Sequence, residues 1–308
     1  MNKVLLTGAS GFIGRHCLPG LVGTGYKVHA ITGSRKQLDI DGVTWHQADL
    51  LDLGNIQSLV YEIQPTHLLH LAWHVPAGKW ATTGAKTYYR WIQSSLELLR
   101  AFHETGGRRV VMTGSCTEYD WRYGYCTESL TPVNPNTVYG QYKKIMHDIL
   151  HVYSAEHGLS SAWGRVFFLY GPYENESRLV PSVINSLLNA SEAKCTEGKQ
   201  IRDFLYVEDV ADALVALLDS EVNGPVNIAS GKPIALNEII FTIADMLERR
   251  DLVRLGALPT PGNETPFVLA NAERLFNEVG WKPACTIETG LRKSIEWWKR
   301  KEDNKDCG

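Results

Sequence analysis

The chain has 308 residues, with 31 Lys and Arg against 34 Asp and Glu and a formal net charge of −3. This length allows one large α/β domain and a smaller one. The charge balance excludes the basic footprint of a protein that binds nucleic acid or an anionic membrane. No apolar run approaches the ~20 residues that a bilayer span needs, and the N-terminus has no signal-peptide pattern. We therefore expect a cytoplasmic protein whose partners include neither nucleic acid nor a membrane.

The cysteines and histidines are dispersed along the chain. There are 6 Cys and 10 His, with no Cys-x-x-Cys and no pairing at the spacing of metal ligands. This distribution favours reduced thiols and predicts no metal site. The cysteines are Cys17, Cys116, Cys126, Cys195, Cys285 and Cys307.

The first element is a short apolar run, residues 4–7, that breaks into glycines at Gly8, Gly11 and Gly14. It reads as a strand, a tight turn and a helix start, where the backbone can approach a pyrophosphate. The spacing is Gly-x-x-Gly-x-x-Gly, not the Gly-x-Gly-x-x-Gly of the standard fingerprint, and a glycine-rich surface turn is the alternative. The predicted cofactor contacts here are Gly8, Ser10, Gly11, Phe12, Ile13 and Gly14.

The second strand, residues 27–32, ends in Ser34, Arg35 and Lys36. A site for NAD usually has an Asp or Glu there for the ribose hydroxyls. None is present, and Ser34 and Arg35 are suited to a 2′-phosphate, so we predict NADP(H) as the cofactor. NAD(H) stays possible, because a solvated basic turn has the same composition.

The first half of the chain alternates strand and helix patterns. Predicted strands cover residues 4–7, 27–32, 67–71, 109–113 and 161–168, and periodic helical stretches cover residues 91–103 and 139–157. This order predicts an α/β fold with a doubly wound parallel sheet of the Rossmann type. Ligand is then expected at the carboxyl ends of the strands.

Tyr139 and Lys143 stand four residues apart in one of these helical stretches. Positions i and i+4 share a helix face, so an ammonium can lie beneath a phenol and lower its pKa. The phenol can then exchange a proton with a substrate oxygen. The pair therefore suggests redox chemistry at a sugar-like carbon.

Further motifs follow in order, and together they resemble the extended short-chain dehydrogenase/reductase family over nearly the whole chain. They are Thr7-Gly8 with Phe12-Ile13-Gly14, Asp49-Leu50, Leu71-Ala72-Trp73, Ser115 four residues before Tyr119, Tyr139 with Lys143, Leu169 to Pro172, and Gly198 to Asp209. Most members of this family act on nucleotide sugars.

The resemblance implies roles for individual residues. Ser115, Tyr139 and Lys143 are the expected catalytic group. Asp49 and Leu50 are expected to hold the adenine, and Leu71 and Ala72 to line the cofactor groove. The expected substrate contacts are Thr117, Phe168, Arg178 and Arg202, with Arg202 on the nucleotide diphosphate. A surface pairing of Arg202 with Asp203 or Asp209 is the alternative.

Departures from the family pattern bear on the reaction. The 4,6-dehydratases of the family carry an Asp-Glu pair where this chain has Cys116 and Thr117, so that acid and base are missing. Trp91 and Phe168 stand where the family commonly has Asn. We therefore predict NADPH-dependent reduction of the 4-keto group of a nucleotide-activated 4-keto-6-deoxyhexose. The alternatives are a nucleotide-sugar 4-epimerase with recycled NAD and, more remotely, a non-catalytic NADP-sensing protein.

The resemblance also implies two domains and a dimer. Residues 1–170 and 203–230 are expected to form the cofactor-binding domain. Residues 171–202 and 231–308 are expected to form a smaller, discontinuous domain for the nucleotide sugar. Helices around residues 91–101 and 142–153 resemble those of a four-helix interface, so a homodimer is expected.

Overall fold

The computed structural model describes residues 2–33, 40–75, 85–262 and 264–306. The described strands are β1 (Lys3–Thr7), β2 (Lys27–Thr32), β3 (Val43–Gln47), β4 (His67–His70), β5 (Arg109–Ser115), β6 (Tyr125–Cys126), β7 (Ser160–Val166), β8 (Phe168–Tyr170), β9 (Ala193–Lys194), β10 (Ile201–Tyr206), β11 (Gly224–Ile228), β12 (Pro233–Ala235), β13 (Val253–Arg254) and β14 (Phe267–Ala270). The described α-helices are α1 (Gly14–Gly23), α2 (Leu53–Ile63), α3 (Ala85–Glu104), α4 (Val138–His157), α5 (Leu179–Leu188), α6 (Val207–Asp219), α7 (Leu236–Met246) and α8 (Ile287–Asp306).

The central sheet has seven parallel strands in the order β11-β7-β5-β4-β1-β2-β3. Helices α1 and α6 contribute to the apolar core on one face, and α2, α3 and α4 contribute to the core on the other. Connections between parallel strands must cross over a face of the sheet, which explains the helices on both sides. The predicted doubly wound α/β fold is therefore confirmed.

The edge strand β3 was not predicted from the sequence. Its side chains are only half-buried or exposed, and the segment contains polar residues at most positions, so it lacks the continuous apolar run of the inner strands. The predicted strand at residues 161–168 is divided in the structure, because β7 ends at Val166 and β8 begins at Phe168.

A second, five-stranded sheet lies beside the main one. Its order is β12-β10-β14-β6, and β8 pairs with β10. Helices α5, α7 and α8 share a separate apolar core with it. Since β6 and β8 come from the first 170 residues, and β10 includes residues 203–206, the two units interleave along the chain. The domain boundaries near residues 170, 203 and 230 stay a prediction.

Helix α4 has clear end signals. The Thr137 hydroxyl accepts a hydrogen bond from the Gly140 amide at 3.1 Å, and Gly158 ends the helix at φ 64°. These are the usual signals of an N-cap and of a left-handed C-terminal residue. Helix α4 is thus held in register where it carries Tyr139 and Lys143. Among the described helices, none combines the length and apolar character that a bilayer crossing needs.

Candidate active site

The glycine turn between β1 and α1 is closed against its surroundings. Gly8 has φ 71°, and a Cβ there would lie 2.8 Å from the Ala72 nitrogen. A Cβ on Gly14 would lie 2.1 Å from the Gly8 carbonyl oxygen. Neither position has room for a side chain, so the sequence is not an ordinary surface turn. It forms a cradle of backbone at the start of α1, which fits the pyrophosphate of a dinucleotide.

The wall of this cradle is formed by the end of β4. The Thr7 hydroxyl is 2.7 Å from His70 Nδ1 and accepts a hydrogen bond from the Ala72 amide at 3.2 Å. The other ring nitrogen of His70 is 2.8 Å from the Ser95 hydroxyl. Burial lowers the pKa of His70 to about 3, so the ring is neutral. Leu71 and Ala72 are thereby held beside Gly8, as predicted contacts of the cofactor groove.

The structure gives partial information on the adenosine end of the groove. The Thr32 hydroxyl donates to the Ser10 hydroxyl at 3.1 Å, which joins the glycine turn to β2. Asp49 is exposed and accepts a hydrogen bond from the Leu51 amide at 2.9 Å, whereas Leu50 is buried. The predicted phosphate contacts Ser34 and Arg35 lie outside the described residues, so the predicted preference for NADP(H) stays a prediction.

Arg15 is a cation at the glycine turn that the sequence analysis missed. Its guanidinium donates to the carbonyl oxygens of Ser10 at 2.5 Å and Gly11 at 3.1 Å. It also lies 3.8 Å from the ring centroid of Tyr173. Arg15 therefore connects the cradle to the loop that follows β8. Its position directly after Gly14 was a signal available in the sequence.

The three predicted catalytic residues, Ser115, Tyr139 and Lys143, come together and are called the reaction centre below. Ser115 ends β5, and its hydroxyl hydrogen-bonds the phenol of Tyr139. Lys143 is only 4% exposed. Its ammonium donates to the Thr113 carbonyl at 2.7 Å and lies 4.4 Å from the ring centroid of Trp73.

Burial shifts both titratable groups of the reaction centre. It raises the pKa of Tyr139, Glu118 and Cys116 add to the rise, and the hydrogen bond from Ser115 opposes it. Burial lowers the pKa of Lys143 to about 7, and Glu118 opposes that shift. The sequence predicts that Lys143 lowers the pKa of the phenol, but in the structure burial raises it, so the phenol is protonated at neutral pH.

A single 3₁₀ turn, Cys116–Glu118, holds Ser115 in place. The amide and the hydroxyl of Thr117 both donate to the Ser115 hydroxyl oxygen, at 3.2 and 3.0 Å. The Glu118 carboxylate accepts from the Ser115 amide at 2.7 Å. The structure thus brings Thr117, a predicted substrate contact, onto Ser115 itself.

Glu118 is enclosed by other groups of the protein. It is fully buried and accepts hydrogen bonds from Arg165 at 2.8 Å and from the Trp163 ring nitrogen at 3.0 and 3.1 Å. These contacts span 45 and 47 residues, so no local sequence pattern predicts them.

Arg202 lies in a second group of residues, called the arginine cluster below: Trp121, Phe168, Arg202 and Glu264. Arg202 is 3% exposed, and its guanidinium donates to Glu264 at 3.1 Å and lies 5.4 Å from the ring centroid of Phe168. The ring of Phe168 contacts that of Trp121 at 6.1 Å. Trp121 in turn donates to the Cys116 carbonyl at 2.7 Å. The cluster is therefore linked directly to the turn beside Ser115.

The alternative pairing of Arg202 with Asp203 or Asp209 is wrong. Asp203 accepts from the backbone amides of Ser230 and Gly231 at 2.8 and 2.9 Å. Asp209 accepts from the Ala284 and Cys285 amides at 3.2 and 3.0 Å. Both carboxylates are committed to loop backbone, which leaves Glu264 as the acidic partner of Arg202.

Arg178 precedes α5, and its side chain is 48% exposed. Its Nε lies 3.9 Å from the Glu174 carboxylate. The structure gives it no contact with the arginine cluster. Glu174 is 8% exposed, and one of its carboxylate oxygens has no hydrogen-bond partner. Burial raises the pKa of Glu174 to about 8.

Within the described part of the chain, no group of three or more His, Cys, Asp or Glu residues is placed to hold a metal ion.

Comparison with known proteins agrees with this arrangement. A family model described as the NAD dependent epimerase/dehydratase family matches residues 4–229. The chain is 28% identical to dTDP-glucose 4,6-dehydratase 1 of Escherichia coli over 96% of its own length and 92% of that protein. Its fold is similar to UDP-glucose 4-epimerase of Thermotoga maritima in a structure with UDP-glucose, with a TM-score of 0.88, 21% identity and coverage of 98% and 100% of the two chains. MoeE5, solved in complex with UDP-glucose and NAD, has a TM-score of 0.86 and 25% identity over 98% and 100% of the two chains.

Proposed function

The chain belongs to the NAD dependent epimerase/dehydratase family, and from this premise we propose that it is an NADPH-dependent reductase of a nucleotide-activated 4-keto-6-deoxyhexose. The observation that carries the proposal is the reaction centre, in which the Tyr139 phenol meets the Ser115 hydroxyl while the neighbouring carboxylate, Glu118, is fully committed to Arg165. The site thus has a proton donor for a ketone, and its described residues 116–118 offer no free acid and base pair for dehydration.

The mechanism uses each residue of the reaction centre once. Bound NADPH would supply the hydride that the keto carbon accepts. Tyr139 donates its proton to the ketone oxygen, which becomes the new hydroxyl. Ser115 hydrogen-bonds that oxygen and stabilises the charge that develops on it. Lys143 holds the cofactor's ribose, and the hydrogen bond from Ser115 limits the rise in the pKa of the phenol.

The residues after Ser115 support reduction over dehydration. Cys116 is 4% exposed, and burial raises its pKa, so it stays a neutral thiol. Thr117 uses its hydroxyl as a donor to Ser115. Neither residue offers the acid or the base that removal of water from a hexose needs.

The arginine cluster supports a nucleotide diphosphate as the recognised part of the substrate. Arg202 is a buried guanidinium with one carboxylate partner, and its planar fork of donors suits phosphate oxygens. The MoeE5 complex with UDP-glucose is a relative with such a ligand.

A nucleotide-sugar 4-epimerase is the second candidate. It would use the same Ser115, Tyr139 and Lys143, with NAD retained and recycled. The observation in its favour is that MoeE5 was solved with NAD. An NADP-sensing protein without activity is disfavoured, because Ser115, Tyr139 and Lys143 are kept together.

The deciding experiment offers the purified protein NADPH or NADH with dTDP-, GDP- and CDP-linked 4-keto-6-deoxysugars. Loss of absorbance at the nicotinamide band with NADPH is the expected result, and it also identifies the nucleotide. Interconversion of UDP- or GDP-hexoses without consumption of NADPH would instead establish the epimerase. Equal Michaelis constants for NADPH and NADH would contradict the cofactor proposal.

We also propose that the protein is a homodimer, formed through α3 and α4. Both helices expose apolar side chains: Tyr89 and Leu96 on α3, and Ile145 and Val152 on α4, are 38% to 63% exposed. Burying such side chains against a second copy is favourable. Light scattering should give the mass of a dimer for the wild type and of a monomer for Val152→Glu. A monomeric wild type would contradict this proposal.

A further inference from the structure

Glu118 is a buried charge that the proposed mechanism does not use. Its carboxylate accepts from the Ser115 amide, the Trp163 ring nitrogen and the Arg165 guanidinium, at 2.7 to 3.1 Å. Arg165 is 1% exposed and also donates to the Tyr119 hydroxyl at 3.0 Å. Both charges of the pair are thus removed from water and fixed by further hydrogen bonds.

Such a pair is not explained by stability alone. Moving two charges out of water costs several kcal/mol per ion, and a buried ion pair is often no more stable than apolar residues of the same volume. The position of Glu118 gives it another effect. It follows Ser115 by three residues, and its negative charge acts on both Tyr139 and Lys143, raising the pKa of each.

The groups around Lys143 show why this charge matters. The ammonium faces the Thr113 carbonyl and the rings of Trp73 and Trp163. His70 is neutral and offers no negative charge. Of the described titratable groups that act on Lys143, Glu118 is therefore the one that favours its charged form.

The groups around Glu118 are also accounted for. Arg165 and Trp163 come from β7, and His147 comes from α4. Burial lowers the pKa of His147, so this ring does not compete as a cation at neutral pH. Among the described residues, Arg165 is the cation that forms an ion pair with this carboxylate, and Arg165 also donates to the Tyr119 hydroxyl.

We propose that Glu118 is a positioning residue for the reaction centre: its carboxylate fixes the backbone from which the Ser115 hydroxyl meets Tyr139, and it places a buried negative charge on the turn beside that centre. The proposal rests on the proposed function only in giving Lys143 the cofactor's ribose as its ligand. No bond to substrate or cofactor is assigned to Glu118.

The consequence is a defined pH dependence of cofactor binding. Lys143 has a pKa of about 7, so NADPH affinity should fall as the pH rises through that value. Glu118 opposes the lowering of the Lys143 pKa by burial. Without its charge, the fall of NADPH affinity at high pH, called the alkaline limb below, should move to lower pH by about one unit. Loss of the Glu118 charge also lowers the pKa of Tyr139. The fall of kcat/KM at high pH should therefore move to lower pH as well.

The test uses the full-length protein and follows NADPH fluorescence between pH 5.5 and 9, as assay conditions. Glu118→Gln removes the charge with little change of shape. Because it leaves Arg165 buried without a partner, the double variant Glu118→Gln, Arg165→Met is measured as well. Lys143→Met shows whether Lys143 causes the fall in NADPH affinity, since NADPH binding by this variant should be independent of pH in this range.

Asp203→Asn is the matched control. Asp203 is also fully buried and accepts from backbone amides, but it acts on neither Tyr139 nor Lys143. We expect its alkaline limb to coincide with that of the wild type. An equal shift in Asp203→Asn would show a general effect of losing a buried carboxylate and would overturn the proposal.

Each remaining outcome decides the proposal. A wild-type limb in folded Glu118→Gln or in the folded double variant overturns it, and so does a wild type whose NADPH affinity is constant from pH 6 to 9. Restoration of the limb by Glu118→Asp supports it, since a merely structural role would restore the melting temperature alone. If the wild type reduces none of the sugars, the proposed function fails, while the NADPH titration still tests Glu118.

Discussion

The reaction centre and the arginine cluster lie on either side of the turn at residues 116–118, and they are built in different ways. Lys143 and Ser115 are tied to β5 and its turn by hydrogen bonds of 2.7 to 3.2 Å. Arg202 has ring contacts and one carboxylate partner, Glu264, whose side chain is 29% exposed. The reaction centre is thus fixed by the main sheet, whereas Arg202 is paired with a carboxylate that is partly exposed to solvent.

The largest expected effect is in the reaction centre. Tyr139→Phe removes the proton donor and leaves the ring, so kcat should fall about 10³-fold while the Kd for NADPH changes less than about twofold. Tyr142→Phe, three residues on in α4, is the control and should retain kcat. Steady-state kinetics and cofactor titration check both. Substantial turnover by Tyr139→Phe would remove the phenol from the mechanism.

The next largest effect is expected in the arginine cluster. Arg202→Met should raise KM for the nucleotide sugar by roughly 10- to 100-fold with little change in kcat, because a hydrogen bond to a charged group is worth about 1.5 to 3 kcal/mol. Arg178→Met removes the same charge from a half-exposed side chain and should raise KM by about threefold or less. A lower melting temperature with unchanged KM in Arg202→Met would make Arg202 only a partner of Glu264.

A measurement of stability against pH tests the buried carboxyl group of Glu174. The folded protein holds the Glu174 proton up to a pKa of about 8, whereas the ordinary value is 4.5. The cost to folding is absent below pH 4.5, grows between 4.5 and 8, and is complete above 8. Glu174→Gln should therefore raise the free energy of unfolding by about 4 kcal/mol at pH 8 and leave it nearly unchanged at pH 4.5. Equal effects in denaturant titrations at both pH values would contradict the shift.

The smallest effect distinguishes two roles of Thr117. Thr117→Val removes the hydroxyl that donates to Ser115, while the Thr117 amide keeps its own bond. We expect kcat to fall about threefold with KM unchanged, since one neutral hydrogen bond contributes about 1 kcal/mol or less. A raised KM with unchanged kcat would instead support the direct substrate contact that the sequence predicts.

Local sequence signals are enough to predict the glycine cradle and the shared helix face of Tyr139 and Lys143. The glycine spacing predicted the cradle, and the four-residue spacing of Tyr139 and Lys143 predicted a shared helix face. Both features depend on residues close together in the chain. Ser115 was placed by resemblance, and the structure brings it to Tyr139.

The partners of the buried charges Arg202 and Glu118 could not be predicted in the same way. The partner of Arg202 is 62 residues away at Glu264, and the partner of Glu118 is 47 residues away at Arg165. No local pattern marks either pair, so the sequence offers Asp203 and Asp209 only as an alternative to phosphate for Arg202 and predicts no role for Glu118. Tertiary pairing of buried charges depends on the assembled sheets.

The turn at residues 116–118 also bears on how the protein could be redesigned. A designer who wished to install dehydration would place Asp and Glu at positions 116 and 117. Position 116 lies in a closed apolar cluster with Tyr119, Cys126 and Phe167, so an aspartate there would be desolvated and would adopt its neutral form. Position 117 would also lose its hydrogen bond to Ser115. A new reaction therefore requires the cluster behind the turn to be rebuilt first, and two substitutions alone should give an inactive enzyme.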